Sequence, residues 1–464
     1  MLLLTSRHVE PLLRWKLPRN TAGFLFLFTA IYAYLGLGFF RSLPILPAGL
    51  FHLPFLSVYL ILLFLADRLH IPRGFHWGTW GISGVFFILG LASQVPLEPP
   101  PMESRGQNFL FITLEGLRSD VVDDVSMPGL AAYAREGAFF RCVYGVSPDP
   151  ERNVDALFVR TVNGARVTLP DLYPERFVRS AFLPSGRKAA FAPVAKAFGN
   201  PMYQGRRPYP EALILGWTPL AAVHRAGPVA DMRRLFQEGR EWIEGRSRPF
   251  VCWMHVEIPG DAFGRDAVIR ARAGLLAPSG GYRREYRKRL NALDQALSDF
   301  LRWLKQTPYS SKTNVLILGV SGMELFDHGR LGGGYGYYEE SVRFPLVWVG
   351  PSVPKGLRLD QTASLLDLFP TLAKMYNLSD KVKSFEGMDI SSAFKNIFPA
   401  ERLFPLDGSL DAAPGRALVY EGYKLILNGD GRIELYNLTL DPGEKDNRSC
   451  AEPEMLQKLK RMLP

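Results

Sequence analysis

The stretch "NFLFITLEGLRSD", residues 108–120, opens with an apolar run and ends abruptly in charged and small residues. A near-continuous apolar run of this length is typical of a strand that is buried on both faces of a parallel sheet. Glu115 stands where this strand should end. Because ligands of parallel α/β sheets bind beyond the carboxyl ends of the strands, Glu115 is the first candidate site residue.

Three further runs have the same character: "FVCWMHV" (250–256), "NVLILGV" (314–320) and "FPLVWVG" (344–350). Helical patterns separate them, and the longest, from Tyr286 to Lys305, carries leucines at helical spacing. Strands that alternate with helices predict an α/β domain over residues 108–390, with a mostly parallel sheet and helices on both sides.

The last part of the chain changes character. The stretch "ALVYEGYKLILNGDGRIELYNL" (417–438) alternates apolar and polar residues around the turn residues "NGDG". A short helical pattern from Pro453 to Met462 follows. We therefore expect residues 391–464 to form a small antiparallel subdomain that ends in a helix.

The amino-terminal part is strongly apolar. Three stretches contain no Asp, Glu, Lys or Arg: Thr21 to Phe40, Ser42 to Ala66 and Gly74 to Leu97. Each is long enough to cross a bilayer, so residues 21–97 are predicted to form three transmembrane helices. Basic residues concentrate before the first stretch, which places residues 1–20 in the cytoplasm.

Three crossings place everything after a proline-rich linker, residues 98–107, outside the cytoplasm. We expect a multi-pass protein of the inner (plasma) membrane with a large periplasmic or extracellular domain. The formal charge is +10, but after residue 97 the chain has 48 Lys and Arg against 43 Asp and Glu. This modest excess favours the membrane, an anionic lipid or glycan, or another envelope protein as partner, and it does not indicate nucleic-acid binding.

Several motifs occur in a recognisable order along the outer part. "MPGLAAYAREG" follows the first strand, "CWMHVEIPGDAF" ends the second run, and "HGRLGGGYGYYEESVRFPLVWVGP" leads into the fourth. This series resembles the sulfatase and alkaline phosphatase superfamily, and in particular its lipoteichoic acid synthase and periplasmic sulfatase-like regulator branches. The resemblance implies an αβα sandwich and gives Glu115 the position of an acidic metal ligand.

Active members of that superfamily hold divalent ions with carboxylates and histidines and attack with a formylglycine, Ser or Thr side chain. The motif that carries the nucleophile corresponds to "SPDPERNVDALF", where the position falls on Pro150 or Asn153, depending on the alignment. No Ser, Thr or Cys occurs from Pro148 to Arg160. Ser147 is the fallback nucleophile and would need a local shift of about three residues.

The metal-binding positions implied by the resemblance are also altered. In "VSGMELFDHG", Ser321 and Gly322 stand where the family has aspartate and histidine. Gly333, within a run of three glycines, and Gly260 stand at two further histidine positions. Glu115 is the residual metal candidate, and we expect it to be held structurally by Arg118, Arg152 or a backbone amide.

Other side chains are candidates for binding a substrate or lipid. They are Arg152, His255, His328, the basic residues Arg283, Arg284 and Arg287 of "YRREYRKR", and Arg187, Arg206 and Arg207. Each has an ordinary structural alternative. His255 fits a packed core residue, and "YRREYRKR" fits a solvated helix face. His328 could form a shifted metal site with Glu324 and Asp327, but it also fits a solvated loop with neighbouring charges.

These patterns predict a membrane-anchored pseudoenzyme that lacks the metal ligands and the nucleophile and needs no cofactor. Such a protein would sense, scaffold or regulate envelope lipid or glycan biogenesis. Two alternatives stay open. One is an active sulfatase, phosphatase, or phosphoglycerol or phosphoethanolamine transferase that uses Zn, Mn, Mg or Ca and a non-standard nucleophile. The other is a structural subunit of a membrane complex.

Overall fold

The computed structural model describes residues 107–162, 164–184, 187–199, 201–204, 228–258, 280–334, 336–378, 386–395, 397, 402–408 and 415–463. The cytoplasmic segment, the three predicted membrane spans over 21–97, Gly260, Arg206 and Arg207 lie outside these residues. Within the described part of the chain, no helix is both long enough and apolar enough to span a membrane.

The central feature is a mixed sheet. The strands up to residue 364 are β1 Asn108–Glu115, β2 Ala138–Tyr144, β3 Val159–Val162, β4 Ala165–Thr168, β5 Val178–Pro184, β6 Met202–Gln204, β7 Phe250–Glu257, β8 Thr313–Ser321, β9 Glu324–Leu325, β10 Leu331–Gly332, β11 Arg343–Val349, β12 Leu357–Leu359 and β13 Ala363–Ser364. The main sheet has the order β12-β2-β11-β8-β1-β7-β5-β6, and β13 also pairs with β2. The hairpins β3–β4 and β9–β10 lie apart from it.

The four apolar runs become β1, β7, β8 and β11, as predicted. The pairings β1–β7, β1–β8, β5–β7 and β5–β6 are parallel. β11 departs from this pattern because it runs antiparallel to both β8 and β2. The sheet is therefore mostly parallel but mixed, and an apolar run that is buried on both faces does not by itself reveal strand direction.

Helices cover both faces of the sheet. They are α1 Pro128–Ala134, α2 Pro150–Phe158, α3 Leu169–Leu172, α4 Lys188–Ala195, α5 Pro228–Glu244, α6 Gly280–Gln306, α7 Glu339–Val342 and α8 Leu368–Met375. The side chains of β1 alternate between two cores: Phe109 and Phe111 pack with α2, α4 and α8, whereas Leu110 and Ile112 pack with α1, α5 and α6. This confirms the predicted α/β class with two helical layers.

A second, antiparallel sheet lies in the carboxyl-terminal part. It consists of β14 Phe404–Asp407, β15 Arg416–Tyr420, β16 Tyr423–Leu427 and β17 Ile433–Asn437 in sequential order. Helix α9, Pro453–Met462, has the bounds that the sequence predicts and packs on this sheet through Leu459. β14 also contacts the main domain, because the Asp407 amide donates to the Val146 carbonyl at 2.8 Å.

Candidate functional site

The carboxyl ends of the three central strands meet at one edge of the main sheet. Glu115, the last residue of β1, is in register with Glu257 of β7 and with Ser321 of β8. The end of β8 is joined directly to β1, since the Ser321 side chain accepts a hydrogen bond from the Gly116 amide at 3.0 Å. The structure therefore brings together Glu115 and Ser321, as the sequence predicts, and adds Glu257.

Arg187 is the centre of this edge. Its guanidinium contacts the Glu115 carboxylate, donates to Glu257 at 2.6 Å and lies 3.7 Å from a Glu151 oxygen. Arg187 sits in the turn that precedes α4, whereas its three partners come from β1, β7 and α2. The expectation that Arg118 or Arg152 holds Glu115 is wrong, because those two arginines pair with Asp120 and Asp327 and with Asp407, respectively.

The charges of this cluster shape its protonation. Burial favours the neutral form of Glu115, but a hydrogen bond to His255 and the charge of Arg187 outweigh it and lower the pKa of the Glu115 carboxyl. Burial and the nearby Glu115 charge raise the pKa of Glu257. Burial and Asp149 likewise raise the pKa of Glu151. The carboxylates thus outnumber the one guanidinium that they share.

His255 is a structural part of this edge. It is fully buried on β7, its Nδ1 lies 2.8 Å from the Thr113 hydroxyl, and its Nε2 lies 3.3 Å from Glu115. The Thr113 oxygen also accepts from the Trp253 indole at 2.8 Å. In the neutral ring the Thr113 hydroxyl donates to Nδ1, so Nε2 carries the proton that faces Glu115. His255 is therefore a packed core residue, and the structure does not favour it as a substrate ligand.

Asn153, which with Pro150 is one of the two predicted nucleophile positions, uses all of its hydrogen-bonding groups. Asn153 is fully buried on α2, and its Oδ1 accepts from the amides of Val146 at 2.8 Å and Ser147 at 3.3 Å. Its Nδ2 donates to the carbonyls of Ser147 at 2.7 Å and Val320 at 2.8 Å. Asn153 thus ties the loop after β2 to the end of β8, and its amide cannot act as a nucleophile.

Ser147, the fallback nucleophile, is also engaged. Its hydroxyl donates to the Gly408 carbonyl at 2.9 Å and accepts from the Asp149 amide at 3.1 Å. The residue has no exposed surface. The hydroxyl therefore links the turn before α2 to the segment after β14 by hydrogen bonds. Among the described residues, no basic side chain is placed to accept its proton.

Gly322, where the resemblance predicts a histidine, is packed tightly against another segment of backbone. A Cβ atom on Gly322 would overlap the carbonyl oxygen of Glu340, and the Gly322 amide already donates to the Ser341 carbonyl at 3.1 Å. A Cβ on Gly333 would lie 3.1 Å from the Gly322 carbonyl. The glycine at 322 is thus required by the close approach of two backbone segments, which leaves no room for an imidazole.

The family implies a divalent metal at these strand ends, and the residues present do not fit one. The guanidinium of Arg187 lies among the carboxylates, the Ser321 hydroxyl is bound to an amide, and Gly322 has no space for a ligand. Within the described residues, no group of three or more His, Cys, Asp and Glu side chains is arranged to hold an ion. The positive group that contacts these carboxylates is the Arg187 guanidinium.

His328 lies in a second, separate polar cluster. Its Nδ1 is 2.6 Å from Glu340, its Nε2 is 3.1 Å from the Glu444 carbonyl, and its ring stacks on Tyr338 at 3.6 Å. The expectation of a solvated loop is wrong, because the ring is mostly buried between these partners. Although burial lowers it, the hydrogen bond to Glu340 raises the pKa of His328 overall.

Glu324 lies beside this cluster. It has no exposed surface, and neither carboxylate oxygen has a hydrogen-bond partner among the described residues. Burial and the charge of Glu340 raise the pKa of Glu324 to about 7. Only the fold reveals this, since Glu324 follows a strand in sequence and gives no sign that it turns inward.

The basic residues Arg283, Arg284 and Arg287 lie near the start of α6. Arg283 pairs with Asp327 at 2.7 Å, whereas Arg284 and Arg287 are exposed. The Tyr286 hydroxyl donates to the Gly116 carbonyl, so this end of α6 lies at the same edge as Glu115. With 27 residues α6 is about 40 Å long, and its other end lies near the amino ends of β1 and β8. The basic residues are therefore remote from Asn108, where the chain enters the sheet.

Arg152 borders a cavity of about 630 Å³ at the junction of the two sheets. Its lining includes Arg160 and Arg166 of the β3–β4 hairpin and Asp407 of β14. Arg152 is half exposed and lies 3.6 Å from Asp407. The structure thus separates Arg152 from Glu115 and assigns it to the contact between the main domain and the carboxyl-terminal sheet.

Comparisons with known proteins agree with this architecture. The family model described as Sulfatase matches residues 194–378. A sulfatase from Formosa agariphila is 25% identical over 179 residues, which make up 37% of this chain and 34% of that protein. The chain thus spans about a third of the length of the curated relatives that it matches.

Two solved structures share the fold. The phosphonate monoester hydrolase of Agrobacterium radiobacter superposes with a TM-score of 0.60 at 15% identity, covering 77% of this chain and 94% of the hydrolase. A 2-O GAG sulfatase superposes with a TM-score of 0.58 at 17% identity, covering 77% and 91%. Residues 194–378 are thus similar to the Sulfatase family, and the chain shares the fold of these two enzymes.

The match to the Sulfatase family model covers only part of the strand-end site. It begins at residue 194, after both Glu115 and Asn153, and it includes the altered strand end at Ser321 and Gly322. The segment with Glu115, Ser147 and Asn153 therefore lies outside the matched range, although β1, which ends at Glu115, is a central strand of the same sheet.

Proposed function

We propose that this protein is a sulfatase-fold pseudoenzyme whose outer domain binds rather than converts its ligand. The observation that carries the proposal is Asn153, whose amide is fully engaged with four backbone groups at the nucleophile position. A side chain that links the backbone in this way stabilises the fold and leaves no group to attack phosphorus or sulfur.

The strand-end cluster supports the same proposal. Catalysis in this superfamily relies on an ion that neutralises an anionic ester and activates the attacking oxygen. Here Arg187 neutralises the protein's own carboxylates, and Gly322 has no space for a ligand side chain. The domain would therefore meet its ligand through surface and cavity residues.

The ligand class follows from the relatives and the sequence together. One structural neighbour is a sulfatase of glycosaminoglycans, which are anionic glycans. Arg284 and Arg287 offer exposed positive charge at the strand-end edge. We propose an anionic glycan or lipid headgroup of the cell envelope as ligand, with a sensing or scaffolding role for a membrane-anchored chain.

The proposal is tested by metal content and turnover of the purified full-length protein. Metal analysis should find less than stoichiometric Zn, Mn, Mg and Ca. Aryl sulfate, aryl phosphate and aryl phosphonate ester should show no turnover that depends on Glu115, measured with wild type and Glu115→Gln. Arg152→Gln serves as the control for an arginine outside the strand-end cluster.

The competing function is an active sulfuric or phosphoric ester hydrolase or transferase. One bound metal per chain, together with turnover that Glu115→Gln abolishes and Arg152→Gln preserves, would establish it and refute the pseudoenzyme. Turnover that survives Glu115→Gln but not Ser147→Ala would point to a separate serine-based site and would equally refute the proposal.

A further inference from the structure

Arg187 has a role that the sequence does not suggest. We propose that its guanidinium is a built-in cation that takes the charge-balancing place of a bound ion at the strand-end edge. The inference concerns the same site as the proposed function and rests on it. It adds a specific residue and a specific consequence, which is that the acidic edge is closed to divalent cations only while Arg187 is present.

The geometry is that of a cation surrounded by ligands. One guanidinium contacts Glu115, Glu257 and Glu151, and these carboxylates belong to three different elements, β1, β7 and α2. The guanidinium contacts Glu115 through Nη2 and Glu257 through Nε, which are separate nitrogens. A planar group with several fixed donors can bind several carboxylates at once, which a lysine ammonium does less well.

The charge balance explains why the position needs a cation. Glu115 and Glu257 end adjacent parallel strands in direct register, so their negative charges are held close together by the sheet. Glu151 and the Asp149 cap of α2 add further negative charge from the same side. Like charges that the backbone holds together repel each other unless a positive group lies between them.

The position is also too enclosed for an ordinary surface ion pair. The side chains of Arg187 and Glu115 are 25% and 17% exposed, and the buried His255 lies behind Glu115. Exposed ion pairs on helices elsewhere in the chain join residues three or four positions apart. Arg187 instead joins Glu115, Glu151 and Glu257, which are 72, 36 and 70 residues away along the chain.

The test removes the Arg187 guanidinium by substitution and then adds Mn²⁺ as a replacement cation. Arg187→Met in the full chain should lower the melting midpoint, and about 1 mM MnCl₂ should restore about 4 °C of it. The same salt should leave wild type unchanged. Isothermal titration should show about one Mn²⁺ bound per Arg187→Met chain and none in wild type.

Arg179→Met is the matched control. Arg179 has a similar exposure and pairs with one carboxylate, Asp171 at 3.3 Å, away from the strand ends. This variant should lose some stability but should not respond to Mn²⁺. Adding Glu115→Gln to Arg187→Met should abolish Mn²⁺ binding, which ties the effect to the strand-end carboxylates.

The double variant Arg187→Met/Glu257→Gln covers the case in which Arg187→Met does not fold, because it removes one repelling carboxylate together with the guanidinium. A folded single or double variant that neither binds Mn²⁺ nor gains stability from it overturns the built-in cation and leaves the proposed function standing. Stoichiometric metal in wild type with Glu115-dependent turnover overturns both.

Discussion

Asn153 stabilises the site region through hydrogen bonds that no aliphatic side chain can replace. Its amide satisfies two backbone N–H groups and two carbonyls that are buried in the turn before α2 and at the end of β8. Buried polar groups that lose their partners cost far more than an exposed contact does. The neighbouring Gly145 has no room for a Cβ because that atom would touch the Asn153 amide.

Replacing Asn153 should therefore destabilise the domain. We expect Asn153→Ala to lower the free energy of unfolding by about 2–4 kcal/mol, because several buried backbone groups lose their partners. Urea unfolding followed by circular dichroism measures this. Arg152→Ala, one residue earlier on the same helix and half exposed, should change it by less than about 0.5 kcal/mol. Equal effects of the two variants would contradict the role assigned to Asn153.

Gly322 gives a prediction of steric origin. A methyl group there would overlap the Glu340 carbonyl, which belongs to backbone that is fixed by the Met323–Glu340 hydrogen bond at 3.0 Å. We expect Gly322→Ala to cost about 2–4 kcal/mol of folding free energy. Gly280→Ala, where a Cβ meets no atom within 4 Å, is the control and should be neutral. A stable Gly322→Ala protein would show that this position can accept a side chain.

At the scale of elements, a buried ion network joins the carboxyl-terminal sheet to the main domain. Lys424 of β16 has no exposed surface and lies 2.6 Å from Glu339 of α7 and 2.9 Å from Glu444. Tyr144, at the end of β2, donates to the same Glu339 at 2.7 Å. Arg343 also lies 2.8 Å from Glu339, so these buried groups depend on one another for their solvation.

Removing the cation should separate these elements. We expect Lys424→Met to cost about 3–5 kcal/mol, because it leaves the buried Glu444 without a positive partner among the described residues and Glu339 with Arg343 alone. Thermal unfolding of the variant should show a lower midpoint, and limited proteolysis should cut first near β14 to β17. Lys458→Met removes an exposed pair with Glu421 and should cost less than about 1 kcal/mol. An unchanged midpoint for Lys424→Met would argue against the network as the joint.

At the scale of the whole molecule, the sequence predicts the elements that have a periodic apolar pattern. It does not predict contacts between residues that are far apart in the chain. The leucines of α6 report burial of one helix face, and β15 to β17 form the predicted antiparallel strands, although their middle residues are buried on both faces. The partners of Glu115 could not be read in the same way. Arg187 is 72 residues away, and the parallel pairing of β1 with β7 and of β7 with β5 brings the two together.

The same limit applies to the space available for a side chain and to the hydrogen-bond partners of a hydroxyl, since both depend on distant segments. The resemblance predicts that Gly322 stands at a histidine position, but the contact with Glu340 that excludes any side chain arises from backbone 18 residues later. The sequence also shows Ser147 as a hydroxyl near the nucleophile position. That its proton is directed to Gly408 depends on how β14 docks against the loop after β2.

Glu324 contributes to the pH dependence of global stability, as does Glu444, whose pKa burial also raises to about 7. The pKa of Glu324 is raised from 4.5 to about 7 in the folded protein by burial and by Glu340. Between these two values the folded protein retains a proton that the unfolded chain has released, so stability falls as pH rises through this window and levels off above about pH 7. Each pKa unit corresponds to about 1.4 kcal/mol, which sets an upper bound of about 3 kcal/mol.

Glu324→Gln tests this assignment because glutamine keeps the shape and removes the titration. We expect the variant to exceed wild type in free energy of unfolding at pH 8 and to come close to it at pH 4.5, measured by urea unfolding across that range. Glu241→Gln, on the exposed face of α5, should leave the slope with pH unchanged. If wild type and Glu324→Gln keep the same slope between pH 4.5 and 7, the buried carboxylate is ionised throughout and must have a cationic partner.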